Sequence, residues 1–598
     1  MTTSVYKTII FLISITLFSC RKSETKLETA TIEIKLNGVN NTIEKLGTTK
    51  ITKQERFSNY VSAENFDILT IISADEPNNE KINYSKRFAA VSKLPPNIKY
   101  RVLIYKVQGE TELFVNKLDL ISNVSTGETV TIDIVRGITY KWYTYSYNNT
   151  ADLPNISEND LNNPIVPMGE NKDFLYDQGE FTLTESGHHV INITFERKTS
   201  QIELDFDARG IFTDEIEDLN IELPATLLKT ANFNLKENNI SGALTNTSTI
   251  TLTNENFYNI EESFTDRKGA ALHTVATGTI SNPTFTLKSL KIKLDDGLSR
   301  TYPETAISFS QNSQLAVGAR AKAKVYLIES ALTYAGVQWA RANLYRKESG
   351  RNPYRFYHNN KQTNDPISYF SFRGHIPRKF ASSEPSEQKD PCALIFPAYR
   401  WMQPSASNIG ISQSKLSHEG GALTNILSTI TDGVISDPTQ GAISPNASLY
   451  IEYTPNPVSS DIYPITSRTL RFYFNGLHAD IAVLEGLDNN GLVTLQLGNY
   501  GRAATFWTNE QGTNLLGLVQ IGAWGYLGMR KTSILSFNPP SIVGTFAKGM
   551  STANILNIGL LGSLNVIRSP LLNVRCVRNP DWTTLINNPS YNPVANYQ

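Results

Sequence analysis

The sequence predicts a mainly β protein: two consecutive β-sandwiches followed by a loop-rich α+β domain. Three observations carry that expectation. Short β-branched and aromatic segments bounded by Gly, Asn or Pro recur from about residue 30 to 330, and none of the stretches between them holds a long helical period. The 27 Tyr and 26 Phe, with only 19% charged residues, suit pleated, half-buried surfaces. From about residue 331 the rhythm changes, and glycines crowd segments such as VQIGAWGYLG and ILNIGLLGSLNVIRSP. The 598 residues suffice for about three to four domains at roughly 150 residues each. Lys and Arg number 55 against 56 Asp and Glu, a balance that argues against nucleic acid or a polybasic membrane surface as partner.

The chain opens with MTTSVYKTIIFLISITLFSC. Lys7 gives a positive start, and Thr8 to Phe18 form an apolar run too short to span a bilayer and typical of a signal peptide. The run stops at Leu17-Phe18-Ser19-Cys20, which resembles a bacterial lipobox. That resemblance implies removal of residues 1–19 and a diacyl or triacyl anchor on Cys20, with outer-membrane attachment; an ordinary secretory signal with a chance cysteine is the competing reading. Residues 20–26 read as a polar tether.

The first sandwich is expected over 27–150. In TATIEIKLNG, Ile32, Ile34 and Leu36 alternate with Glu33 and Lys35, and Asn37-Gly38 reads as the turn that closes the strand. ENFDILTIIS, KYRVLIYKV, TVTIDIVRG and TYKWYTYSYN follow. Tyr140, Trp142, Tyr143, Tyr145 and Tyr147 read either as a stacking platform or as one strand packing both faces. Residues 151–172 are rich in Asn, Asp and Pro and read as a linker. A second sandwich is expected over 173–330, from HHVINITFERK through LKIKLDDG to AKAKVYLIES.

A signal of this kind, a first sandwich ending in ITYKWYTYSYN and a second opening with DFLYDQGEFTLTESGHHVINITFERKTSQIELDFD together resemble the fimbrillin family of Bacteroidetes surface and pilus proteins over about residues 27–330. The resemblance implies two transthyretin-like sandwiches. It also implies polymerisation by strand donation, in which a strand of one subunit fills a groove left when a protease removes the neighbour's first strand. Arg56 in ITKQERFSN follows the first strand and is the candidate processing site; an exposed arginine in a polar loop is the plainer reading. Four ordered elements, WARANL (339–344), DPC with a later Trp401-Met402-Gln403-Pro404, NYGRAATFWTNE and the closing VRCVR (574–578), resemble the Fibrobacter-type major paralogous domain over 331–578. That implies a C-type-lectin-like head, and residues 579–598 are then a polar tail. Where the family continues its Trp-x-x-Pro with Thr and an acidic helix start, this chain has Ser405-Ala406-Ser407-Asn408. A helix is expected around GALTNILSTITDGV.

Cys392 and Cys576 remain after lipidation, an even pair in a compartment where disulfides persist. A disulfide between them is expected, with two buried thiols as the alternative. No HExxH, CxxC, GxSxG or Walker A pattern occurs. The expectation is therefore a non-enzymatic protein with no cofactor and no metal site. The function expected is a cell-surface adhesive or pilus tip or accessory subunit, partnered by other fimbrillin subunits and by a glycan or surface ligand, with Trp507, Trp524 and Tyr526 as candidates for stacking on sugars. A glycan-capture lipoprotein of a nutrient-uptake system is the alternative.

Overall fold

The structure is a computed structural model. It describes residues 30–40, 57–62, 65–74 and 91–405 with short gaps; beyond them it describes 408, 415–418, parts of 449–482, 496–498, 503–511, 521–529, 542–543, 549–552, 556–557 and 565–595 except 589. The described chain is mainly β. The helix expected within 421–434 lies outside the described residues.

Two large sheets dominate. The first has eight strands, running in space from Val91–Ser92 through Ala30–Asn40, His188–Arg197, Leu175–Thr182, Thr139–Ser146 and Lys99–Gln108 to Thr111–Ile121, with Glu128–Ile132 also paired to Ala30–Asn40. The second has eleven. Its main path runs from Phe57–Val61 through Phe66–Ala74, Arg320–Glu329, Ser200–Gly210, Phe264–Thr274, Glu215–Leu223 and Thr284–Lys293 to Ser299–Tyr302. Sequence alternation accounts for the local structure: in TFTLKSLKIK, Phe285, Leu287, Leu290 and Ile292 are buried between exposed or half-buried neighbours. Asp295, Asp296 and Gly297 (φ +84°) then turn the chain into the next strand.

The second sheet makes a sandwich by folding over itself. Phe264–Thr274 joins Glu215–Leu223 through the single pair Glu215–Thr265, and the sheet creases there. Phe66 and Tyr302 lie six strands apart along the sheet, a distance of ~29 Å if it were flat at ~4.8 Å per strand. Their rings nevertheless meet edge-on at 5.1 Å. Asn59 Nδ2 (3.2 Å) and Thr70 Oγ1 (2.9 Å) both donate to the Ser308 carbonyl and tie the two ends together. The enclosed core runs from Phe66 and Ile68 through Leu204, Phe206 and Leu219 to Leu290, Val325 and Leu327.

The strand order corrects several expectations about the chain. The sheets do not divide at 151–172: Phe66–Ala74 pairs along its length with Arg320–Glu329, while Leu175–Thr182 and His188–Arg197 belong to the first sheet. The segment 151–172 is no open linker either, because Leu161, Val166 and Met168 are buried against Tyr105, Phe174 and Phe233, and Ile165–Pro167 is a strand. The aromatic strand packs both faces: Tyr140 and Trp142 enter one core, Tyr143, Tyr145 and Tyr147 the other. Asn37-Gly38 is not a turn, since the strand Ala30–Asn40 continues through it. Finally, 579–595 is no free tail. Trp582 and Ile586 are buried against Leu69, Ile71, Tyr326 and Ile328 on the outer face of the second sheet.

Candidate assembly site

Ala30–Asn40 lies parallel to His188–Arg197 in a register running from Thr31–His188 to Asn40–Glu196. Ile32, Ile34 and Val39 are fully buried and join Val102, Ile104, Tyr140, Ile191 and Phe195 in one core. His188–Arg197 meets Leu175–Thr182 only at its far end, through Leu175–Arg197 and Tyr176–Glu196. The first strand is thus the main partner of residues 188–194. On its own outer side it meets two short strands, Glu128–Ile132 along residues 30–34 and Val91–Ser92 at residues 39–40.

The register slips once, between Leu36 and Gly38, so that Asn37 is an extra residue. Asn37 Nδ2 donates to Thr194 Oγ1 at 3.1 Å. Where Leu175–Thr182 diverges, the Asp177 carboxylate accepts the Thr194 N–H (2.7 Å) and the Gln178 N–H (2.9 Å). Burial pushes the Asp177 carboxyl up to about 6 against the pull of those two N–H groups. A side chain therefore supplies the backbone acceptor that a strand would otherwise give.

The second part of the site joins the C-terminal region to the second sheet. Asp67, fully buried on Phe66–Ala74, accepts from Tyr60 Oη (2.9 Å), Ser62 Oγ (2.9 Å), Arg400 Nη2 (2.9 Å) and Arg578 Nη2. Two arginines far along the chain thus converge on one early carboxylate. Burial, with the Arg578 guanidinium beside it, pulls Arg400 below the usual arginine range. The Arg400 guanidinium also lies 4.7 Å from the Trp582 ring centre and 5.0 Å from that of Tyr60.

Cys576 is bonded to Cys392, with Cα atoms 5.8 Å apart, in a core with Ala340, Leu344, Phe356, Trp401 and Val574. Asp390 caps the turn Pro391–Leu394 by accepting the Cys392 N–H at 2.8 Å and also takes the Gln403 N–H at 2.9 Å. The closing strand Val577–Arg578 pairs with both Trp339 and Trp401–Met402. Arg575, fully buried, donates to the Arg341 carbonyl (3.0 Å) and to Asn343 Oδ1 (3.2 Å), and burial brings it down to about 9.

Of the residues singled out from sequence, the structure brings Cys392 and Cys576 together. Trp507 is not a stacking residue: it is fully buried, its Nε1 donates to the Phe370 carbonyl at 2.7 Å and its ring packs on Phe372. Trp524 and Tyr526 lie on Ile521–Met529, paired with Trp507 and Thr505 across the ladder. Cys20 and Arg56 lie outside the described residues. Among the described residues no three of His, Cys, Asp and Glu gather as a metal site, and no helix is long and apolar enough to cross a membrane. Sequence reasoning missed Asp67 and took Gly38 for part of a turn where the structure has a bulge within the strand. Asp67 left a signal, a lone acid in the apolar run FDILTII; nothing in a single sequence names its partners.

No family model matches the sequence, and no curated relative does. Solved structures that it resembles include a candidate cell adhesion protein from Bacteroides fragilis, at 11% identity and a TM-score of 0.29, covering 52% of this chain and 100% of the other. They also include the fimbrial anchor protein Mfa2 from Porphyromonas gingivalis, at 8% identity and a TM-score of 0.22, covering 46% and 82%. The tip fimbrial protein Mfa3 of the same organism, with a C-terminal truncation, is similar at 9% identity and a TM-score of 0.23, covering 39% and 94%. At these identities and scores the likeness assigns this chain no activity.

Proposed function

We propose that this chain is a lipid-anchored surface subunit of the fimbrillin type, held to the outer membrane through Cys20. Its two large sheets form a stalk and residues 331–578 a ligand-binding head, as in a pilus tip or accessory adhesive subunit without enzymatic activity. The observation that carries the reading is the placement of Ala30–Asn40. It is the main strand partner of residues 188–194, it buries Ile32, Ile34 and Val39, and among the described residues only two short strands hold its outer side. A strand so placed can be withdrawn with one sheet edge opened and the second sheet untouched, and an extended segment of another subunit can take its place.

Arg56 is where processing would free it. The full chain is treated with an arginine-specific protease and followed by N-terminal sequencing and non-reducing electrophoresis. A new terminus at Phe57 with ladders or fibres is expected. A strict monomer that binds polysaccharide on a glycan array would instead point to glycan capture.

A further inference from the structure

The groove beside His188–Arg197 has a feature that apolar complementarity alone does not explain. At Gly38 the backbone has φ +136°, a conformation that L side chains rarely adopt. A Cβ there would stand 2.1 Å from the Ser92 carbonyl oxygen, 2.8 Å from the Ser92 carbonyl carbon and 3.1 Å from Val91 Cγ1. The first two are backbone atoms, so no side-chain rotation relieves the clash, and it falls on the residue that pairs with Val39 one position further along, so a Cβ at this position opposes the pairing of the strand with Val91–Ser92. Among the described glycines Gly38 alone combines a positive φ with a backbone atom under 3 Å; Gly109, Gly137 and Gly297 have positive φ with open space where a Cβ would point.

The same residue sets the register. Asn37 is the extra residue of the bulge and is fastened to Thr194. Without the bulge the strand beyond it would slip by one residue, and Val39, buried at 2% exposure, would turn outward. The bulge is thus needed to bring Val39 into the core, and glycine is needed to let the bulge pass under Ser92.

We propose that the Asn37-Gly38 bulge is a selectivity filter: a strand enters this groove only if it carries glycine at the position of Gly38, with apolar residues at those of Ile32, Ile34 and Val39. The partner is therefore an extended segment that is apolar at alternate positions and glycine-bearing near its C-terminal end, lying parallel to His188–Arg197. This rests on the strand-exchange reading above and adds to it the residue that decides which strand is accepted.

The test uses the full chain with a specific protease site placed between residues 41 and 56, nicked so that the first strand stays bound without a covalent link. Labelled synthetic peptides of residues 29–41 compete for the groove as the native sequence, as Lys35→Ala and as Gly38→Ala. The native and Lys35→Ala peptides are expected to displace the resident strand equally, and Gly38→Ala at least about tenfold more weakly, a difference of about 1.4 kcal/mol. Equal entry of the Gly38→Ala peptide overturns the filter. Failure of every peptide, the native one included, overturns strand exchange itself, and the intact chain then decides the register lock. There, Gly38→Ala should raise hydrogen exchange across residues 30–36 at least about tenfold and leave Ser200–Gly210 unchanged. Unchanged protection of residues 30–36 would overturn the lock.

Discussion

At the scale of single residues, the fold is decided by a few buried charges with distant partners. Asp67 is the clearest. It is the carboxylate shared by Arg400 and Arg578, both nearly buried, and no other ion pair of either appears among the described residues. Asp67→Asn leaves two guanidinium groups without a carboxylate in a dry environment, where breaking a buried pair costs about 3–5 kcal/mol. Chemical denaturation of the variant should show a loss of that size, and a loss under about 1 kcal/mol would mean that the arginines find solvent or other acceptors. Asp177 makes a prediction about pH. Its folded-state value, about 6, lies above the ordinary aspartate value of ~3.9. Between those limits the folded state holds more protons than the unfolded one, so this group makes stability fall as pH rises from about 4 to about 6. Asp177→Asn should remove that part of the slope, and an unchanged stability profile across the window would count against the assignment.

At the scale of elements, the C-terminal segment is the main surprise. Its residues look polar in sequence, NPDWTTLINNPSYNP, yet Trp582 fits between Tyr60, edge-on at 5.3 Å, and Arg400, while Tyr591 Oη donates to the Ala398 carbonyl at 2.9 Å. Trp582→Ala should cost about 3–5 kcal/mol by calorimetry or denaturation, as removal of a buried tryptophan does. The disulfide closes a loop across a sequence separation of 184. The chain-entropy account gives such a loop about 5 kcal/mol, so Cys392→Ser with Cys576→Ser should weaken the region around Val574 and Trp401 far more than the first sheet.

The strands themselves were legible, because alternation such as Leu290, Ile292 between lysines is a local signal. The cysteine pair was legible by parity, once Cys20 is set aside as the lipobox cysteine that the sequence suggests. Strand partnership was not: Phe66–Ala74 takes its sequence neighbour Phe57–Val61 on one edge, but nothing local says that its other edge pairs with Arg320–Glu329 about 250 residues away. Nor could one sequence separate the Asn37-Gly38 of a bulge from that of a turn, since both need the same glycine freedom.

At the scale of the whole molecule, this topology predicts an order of unfolding that the sequence order would not. Residues 57–74 follow the first strand in the chain, but their pairing is with Arg320–Glu329 and their polar contacts are with Arg400, Arg578 and Tyr463, whose Oη donates to the Asn65 carbonyl. The hairpin Phe57–Val61 and Phe66–Ala74 is therefore held by the second sheet and by the C-terminal region together. The first sheet's core, with Ile34, Trp142 and Ile193, shares none of these contacts. Subglobal opening follows contact clusters rather than chain order. Hydrogen exchange in rising denaturant should thus group the amides of residues 66–74 with those of 320–329 and 571–586, and apart from those of 30–40. Disturbing Asp67 should loosen the first group and leave the second as it was. If residues 66–74 instead exchanged together with 30–40, the two sheets would form one cooperative unit. Withdrawal of the first strand would then disrupt the second sheet as well, and a subunit that survives the loss of Ala30–Asn40 could not be built on this fold.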